Sequence, residues 1–418
     1  MEEYSEYGNI LNSLENKTFK NTPTSKDFQN SRKIFHHIDR VLDLWKKGDT
    51  NPVHLTLGLT NYCQHKCPWC YINYAQAGAN FKQSGINAAG PKAINADDKI
   101  INAVLDAKKM GLKAVTIIGD GEPTLHKKFA EYSTKLKEAD LDLGLFSNFS
   151  FKKEEVLEAM IKNFFFIRGS IDSAKKEYHD KSHGAKDFDL IVSNITKIVE
   201  SKKKSKSLFP IIGIQYVTNR ENYKDLPYAA EFYKNLGADY LTIKPMYKNE
   251  LNIIHKENDL TFEEVSPYMK KAEAFSDENY NVYAKYTQFI ETLGRKTNNG
   301  LYYKKCNATP VSPYLDEDGN LEMCGNLKGR GFTMGNVHKN SFKEIWNSKQ
   351  RKSCLDRIDL SKCPAGCKLD PLNKVLWDTF NTGTSNAPEG QLSTQEAIDK
   401  AAKEWESPEI KRIHPNFT

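Results

Sequence analysis

A chain of 418 residues, 39% of them hydrophobic and with a net charge of +6, can bury a large core and divide into two or three units at ~150 residues each. No apolar run is long enough to span a bilayer, and the acidic, polar start lacks the basic and apolar parts of a secretory signal; the expected location is the cytoplasm, with no membrane partner. The densest basic run, Lys202, Lys203, Lys204 and Lys206, closes a helix pattern and has no interleaved aromatics to stack bases, so it reads as a solvated helix end and no nucleic-acid partner is expected.

Residues 1–25 carry no clear pattern. A helix is predicted over 26–47, where Ile34, Ile38, Val41, Leu42 and Trp45 recur on one face before Gly48. Strands follow at 53–59, 114–118, 141–147, 164–171, 210–217 and 239–244, separated by helix patterns at 97–110, 126–139, 153–162, 188–201 and 225–236. Six strands alternating with helices require a parallel sheet with helical crossovers. The distinctive polar motifs all fall at the carboxyl ends of these strands, where such sheets place their chemistry. An Ala/Gly/Asn-rich insertion at 75–96 reads as a substrate lid or as a passive loop. The expected division is an N-terminal helical extension over 1–50, the alternating unit over 51–248 and a helical connector over 249–305. A second cysteine-bearing unit then spans 306–372, and a linker, short helix and tail fill 373–418.

Eight cysteines fall in two groups: 63, 67 and 70, then 306, 324, 354, 363 and 367. In a reducing compartment such groups point to metal binding rather than disulfides. Cys63-Gln-His-Lys-Cys67-Pro-Trp-Cys70 puts three thiolates on one loop, enough to hold three irons of a cubane and leave the fourth open to a reaction partner. Zinc with His65 as fourth ligand is the competing reading.

This loop resembles the signature of the radical SAM superfamily, CxxxCxxC with an aromatic, here Trp69, before the last cysteine. A second motif of that family, Gly-Gly-Glu-Pro after the second strand, reads here Gly119-Asp120-Gly121-Glu122-Pro123, with Asp120 in place of a glycine. The resemblance implies a partial (β/α)6 TIM-like barrel whose [4Fe-4S] cluster, on Cys63, Cys67 and Cys70, reductively cleaves S-adenosylmethionine (SAM). It implies SAM contacts from Trp69, Gly121, Glu122 and Pro123. Looser matches are Asn148 in a Ser147-Asn148-Phe149 element where relatives have Thr-Asn-Gly, Ser170 and Asp172 as a Ser-x-Asp element, and Gln215 with Asn219 near adenine. Lys244 ends the last strand and faces the same opening, as a substrate contact or a chain that snorkels to solvent.

In the second group, Cys306 and Cys324 flank a predicted hairpin with Asp318-Gly319 as its turn, followed by Gly335-Asn336-Val337, a helix ending Ile345-Trp346, and Cys363-Pro-Ala-Gly-Cys367. This resembles the SPASM and twitch extensions of radical SAM enzymes, and implies a smaller auxiliary iron–sulfur domain of β-hairpin plus helix. Five cysteines suit one auxiliary [4Fe-4S] cluster, on Cys306, Cys324, Cys363 and Cys367, with Cys354 as the spare or as an alternative to Cys363. Structural zinc is the rival. Two clusters and SAM are thus the expected cofactors, with flavodoxin or ferredoxin as the external electron donor.

The resemblance implies abstraction of a hydrogen atom from a substrate carbon, with the auxiliary cluster as acceptor of the electron released on oxidation. A small polar metabolite such as a sugar or aminocyclitol ranks first as substrate. A ribosomally made peptide ranks second, because residues 1–50 show no winged-helix peptide-binding pattern. The molybdenum-cofactor cyclase type ranks third, its C-terminal Gly-Gly having no counterpart in Pro415-Asn416-Phe417-Thr418. A metal-stabilised binding module is the non-enzyme alternative.

Overall fold

The computed structural model describes residues 31–70, 93–246, 260–294, 303–363, 366–381, 394–405 and 417. The expectations for 1–25, for most of the 75–96 insertion and for 382–393 lie outside them. The chain before the sheet forms a 3-10 turn over Ser31–His37 and helix α1, Ile38–Lys47, which ends at Gly48 in the left-handed conformation.

All six expected strands form: β1 His54–Leu57, β2 Ala114–Ile117, β3 Asp142–Ser147, β4 Phe166–Ser170, β5 Ile211–Thr218 and β6 Tyr240–Pro245. The crossovers are α2 Asp98–Lys109, α3 Phe129–Glu138, α4 Glu154–Asn163, α5 Lys176–His183 with α6 Phe188–Ser205, and α7 Leu226–Leu236. Their apolar faces cover the outer side of the sheet: Ile100, Ile101 and Val104 of α2, and Ile191, Ile195 and Ile198 of α6, are sealed against Leu55, Val115, Leu143, Ile167 and Ile214. This burial drives the assembly. Lys202 in the basic run pairs with Asp239.

The segment expected to be a helical connector has helices α8, Phe262–Glu273, and α9, Tyr286–Gly294, but also a seventh parallel strand, β7 Asn281–Ala284, on the edge of β6. Four residues of mixed polarity show too little alternation to be read as a strand. The hairpin is β8 Tyr314–Leu315 and β9 Asn320–Glu322, with Gly319 at φ +80° between them, and β10 Thr333–Asn336 pairs with β9. It continues the barrel sheet, since β8 pairs in parallel with β1 through Thr56↔Tyr314 and Leu57↔Leu315. The result is one ten-stranded sheet in the order β10-β9-β8-β1-β2-β3-β4-β5-β6-β7.

Helices α10, Phe342–Trp346, and α11, Lys349–Asp356, fasten this part to the start of the chain. Arg351 is buried, forms a two-pronged ion pair with Asp49 at 2.6 and 2.5 Å, and lies 3.8 Å from the centre of the Trp346 ring. The Trp346 indole donates to the Thr50 carbonyl. Helices α12, Asp370–Phe380, and α13, Thr394–Trp405, complete the described elements.

Candidate active site and auxiliary metal centre

The first cysteine loop leaves the carboxyl end of β1 and is pinned on two sides. Lys66 N–H donates to the His183 carbonyl at the end of α5, and the loop's lead is bonded to the turn after β2 by Gly121 N–H to Thr60 O and Glu122 N–H to Tyr62 O. A side chain at residue 121 would place its Cβ 2.0 Å from Tyr62 O, so glycine is required for this approach. Glu122 is buried. One oxygen accepts from Ser147 Oγ, Thr124 Oγ1 and Thr124 N, the other from Asn148 N. Its carboxylate therefore ties the end of β2 to the end of β3, and burial still raises its pKa. Pro123 starts the 3-10 turn that Glu122 caps.

Asn148 Oδ1 accepts from Gln64 and from Ser150 N, and its Nδ2 lies 4.0 Å from Cys63 Sγ. Phe149, standing where the family pattern has glycine, keeps φ at +60°. The left-handed backbone is retained by a residue for which it is strained, and its ring is fully buried. Asp172 does not open into the barrel. Its oxygens accept from Trp69 Nε1 at 3.0 Å and from Val217 N at 2.7 Å, with His183 Nε2 3.4 Å away. Ser170 and Gln215 are in register on β4 and β5 and half-buried on the inward face. Lys244 shares that face on β6.

A cluster absent from the sequence reading lies behind the cysteine loop. His65, His179 and His183 are all buried. His65 Nε2 is 2.7 Å from Asp187 Oδ2, His179 Nε2 is 3.2 Å from Asp187 Oδ1, and Ser150 Oγ also donates to Asp187. His183 Nδ1 lies 3.1 Å from Cys67 Sγ. These contacts hold Asp187 well below the usual carboxylate range, against its burial. His179 and His183, four residues apart, share one face of α5, and Asp187 precedes α6; the i, i+4 histidine pair was the available signal.

Four cysteines of the second group come together. Cys306, Cys324, Cys363 and Cys367 line one hollow with Tyr303, Asn326 and Asn373. Asn373 Nδ2 lies 3.5 Å from Cys306 Sγ, and Asn326 Nδ2 the same distance from Cys367 Sγ. Cys354 is elsewhere: it is buried in α11, with its sulfur 3.7 Å from Thr333 O. Lys328, four residues after Cys324, reaches back to the SAM-motif turn, pairing with Asp120 and, at 3.2 and 3.4 Å, with Glu317 and Asp316.

Both sites have the donor sets for iron. Burial, aided by Glu122, pushes the Cys63 thiol up to about 12, and burial with neighbouring thiolates pushes Cys363 to about 12 and Cys324 to about 11. Crowded buried thiols of this kind ionise when a metal takes the proton's place.

Parallel strands with three cysteines at their carboxyl end, joined to a four-cysteine hollow, define an iron–sulfur enzyme of the SAM-cleaving class. The radical SAM superfamily model matches residues 57–245, and the SPASM iron–sulfur cluster-binding domain model matches 306–368. The tungsten-containing aldehyde ferredoxin oxidoreductase cofactor-modifying protein of Pyrococcus furiosus is 24% identical over 323 residues, 71% of this chain and 81% of that protein. The antilisterial bacteriocin subtilosin biosynthesis protein AlbA of Bacillus subtilis is 22% identical over 351 residues, 79% of this chain and 70% of that protein. Among solved structures, Streptococcus suis SuiB bound to its precursor peptide SuiA shares the fold at a TM-score of 0.58 and 16% identity, over 89% of this chain and 82% of that one. The AdoMet-bound anSMEcpe gives 0.51 at 16% identity, over 87% and 100%. The chain belongs to the radical SAM superfamily and carries a C-terminal SPASM domain; its cofactors are iron–sulfur clusters and SAM. Among the described residues no helix is long and apolar enough to cross a membrane.

Proposed function

We propose that this radical SAM enzyme removes a hydrogen atom from a residue of a peptide or protein substrate and oxidises it. The relatives favour this reading over the small polar metabolite that the sequence alone ranks first. The observation that carries it is the match to the bacteriocin-biosynthesis protein AlbA over 79% of this chain. A second reading, a cofactor as the substrate, is supported by the more identical cofactor-modifying relative.

In this reading Cys63, Cys67 and Cys70 hold the SAM-cleaving cluster. Bound together, cluster and SAM supply a 5′-deoxyadenosyl radical, once a flavodoxin- or ferredoxin-type donor has delivered an electron. Gly121 keeps the SAM-side turn against the cysteine loop. With the Glu122 carboxylate engaged by the chain, backbone carbonyls of residues 119–121 are left for the SAM ammonium. Trp69 is fixed by Asp172, and Ser170, Gln215 and Lys244 face the substrate side. Cys306, Cys324, Cys363 and Cys367 hold the cluster that accepts the substrate electron. The test is anaerobic reconstitution with iron and sulfide, followed by measurement of 5′-deoxyadenosine from SAM under dithionite. The wild type is expected to form it and a Cys63/Cys67/Cys70→Ala triple variant not to. A wild type with verified clusters that forms none under several reductants would overturn the reading.

A further inference from the structure

Alternation along the barrel strands sorts what faces the lumen. One inward layer is Phe146↔Arg168↔Gly213↔Tyr240, and the next is Ser170↔Gln215↔Thr242↔Tyr283. In the third, Lys244 stands opposite Val217, and Lys285, directly after β7, donates its N–H to the Ile243 carbonyl at 2.9 Å. Lys244 and Lys285 are therefore neighbours on adjacent strands with the same parity. Arg168, Ser170, Gln215, Val217, Lys244 and Lys285 are half-buried, whereas Ile167, Ile214, Tyr216 and Ile243 on the opposite parity are sealed. On this inward face three of the half-buried side chains are cations.

Among the described residues, neither Arg168 nor Lys285 has a carboxylate partner. Arg168 donates through Nε to Tyr240 Oη at 3.0 Å and lies 4.8 Å from the Phe146 ring. The Asp172 carboxylate, just past the end of β4, is engaged by Trp69 and Val217. Burial pushes both Lys244 and Lys285 down to about 8, with Arg168 contributing at each and the Asp172 carboxylate opposing it at Lys244. SAM, with a sulfonium, an ammonium and one carboxylate, is itself a net cation and adds to this field. Arg168 and Lys285, held out of bulk water without a carboxylate among the described residues, are costly cations unless an anion meets them.

We propose that the barrel lumen binds an anionic group of the substrate, a carboxylate or a phosphate, between Arg168, Lys244 and Lys285. This rests on the radical SAM reading of the barrel. It deepens that reading by naming the chemistry that brings a substrate to the radical: an acidic residue of a peptide, or the phosphate of a phosphorylated cofactor.

The test titrates sodium pyrophosphate, a hexaglutamate peptide and a hexaglutamine control into the reconstituted holoenzyme saturated with SAM, by anaerobic calorimetry. Saturable binding of one anionic probe, absent for hexaglutamine, is expected. The Lys285→Gln variant should bind it roughly tenfold or more weakly, the loss of one charge-assisted contact, and Lys285→Arg should retain it. Pyrophosphate alone points to a phosphorylated cofactor, hexaglutamate alone to an acidic peptide; either supports the proposal. No saturable binding of either anion, or binding that Lys285→Gln and Arg168→Gln leave unchanged, overturns it. Formation of 5′-deoxyadenosine by the same wild-type preparation is scored separately. Its presence without anion binding removes the lumen proposal alone, and its absence removes the proposed function.

Discussion

His183 Nδ1 lies 3.1 Å from Cys67 Sγ and 3.2 Å from His65 Nδ1. His65 Nε2 faces the Asp187 carboxylate at 2.7 Å and so carries the proton that this acceptor requires, which leaves His65 Nδ1 with a lone pair. With both rings neutral, the form burial favours for His183, and His183 protonated at Nδ1 rather than at the Nε2 that lies 3.4 Å from Asp172, its N–H is shared between His65 and the cysteine sulfur. Hydrogen bonds to cluster sulfurs favour the reduced state. His183→Phe is expected to make the midpoint potential of the SAM-cleaving cluster more negative and leave the auxiliary cluster unchanged. His183→Gln, which keeps a donor, should recover part of the difference. Redox titration followed by electron paramagnetic resonance checks this, and an unmoved potential would refute it.

Lys328 stands among three buried carboxylates, Asp120, Asp316 and Glu317. Removing the cation leaves them uncompensated, a loss of about 3–5 kcal/mol for a buried pair. Lys328→Met should be destabilised on that scale in chemical denaturation at neutral pH. The loss should shrink as pH falls and Asp316 and Glu317, which burial already pushes up, take up protons, and Asp120→Asn in the same chain should restore part of it.

The position of Cys354 separates it from the auxiliary hollow. Cys354→Ser is expected to keep the full iron content. Single serine variants of Cys306, Cys324 and Cys367 should each lose about four irons, the content of one [4Fe-4S] cluster. Iron analysis with Mössbauer spectroscopy reads both, and loss of the cluster in Cys354→Ser would reassign the ligands.

Glu322 is buried, with one oxygen 2.7 Å from Thr333 Oγ1, and burial foremost pushes its carboxyl up to about 7. Its unfolded value is about 4.3. Between these values the folded chain holds a proton that the unfolded chain has released, so stability falls as pH rises through this window. Melting temperatures from about pH 5 to about pH 7 should drop less in Glu322→Gln than in the wild type. Parallel curves would count against the assignment.

Gly121→Ala is expected to abolish SAM cleavage while the auxiliary cluster stays loaded, because the new Cβ meets Tyr62 O at 2.0 Å. Deoxyadenosine formation and iron content, measured together, distinguish this from general misfolding.

The sequence by itself determined the strand–helix alternation, the two cysteine groups and the family, since these rest on local periodicity and on ligands close in the chain. It also anticipated the hairpin around Gly319, a turn that needs φ > 0. It did not show β7, whose four residues become a strand only beside β6, nor that the hairpin extends the barrel sheet at β1. Which acids are free and which are engaged by the chain depends on tertiary contacts. Glu122 and Asp172 sit in motifs associated with SAM, yet their oxygens are taken by Ser147, Thr124, Asn148, Trp69 and Val217. Asp120, which stands at a glycine position of the motif, is met by the charge of Lys328, 208 residues further on. Partners so distant in sequence leave no local pattern, and burial, which sets their protonation, exists only once the sheet has closed around them.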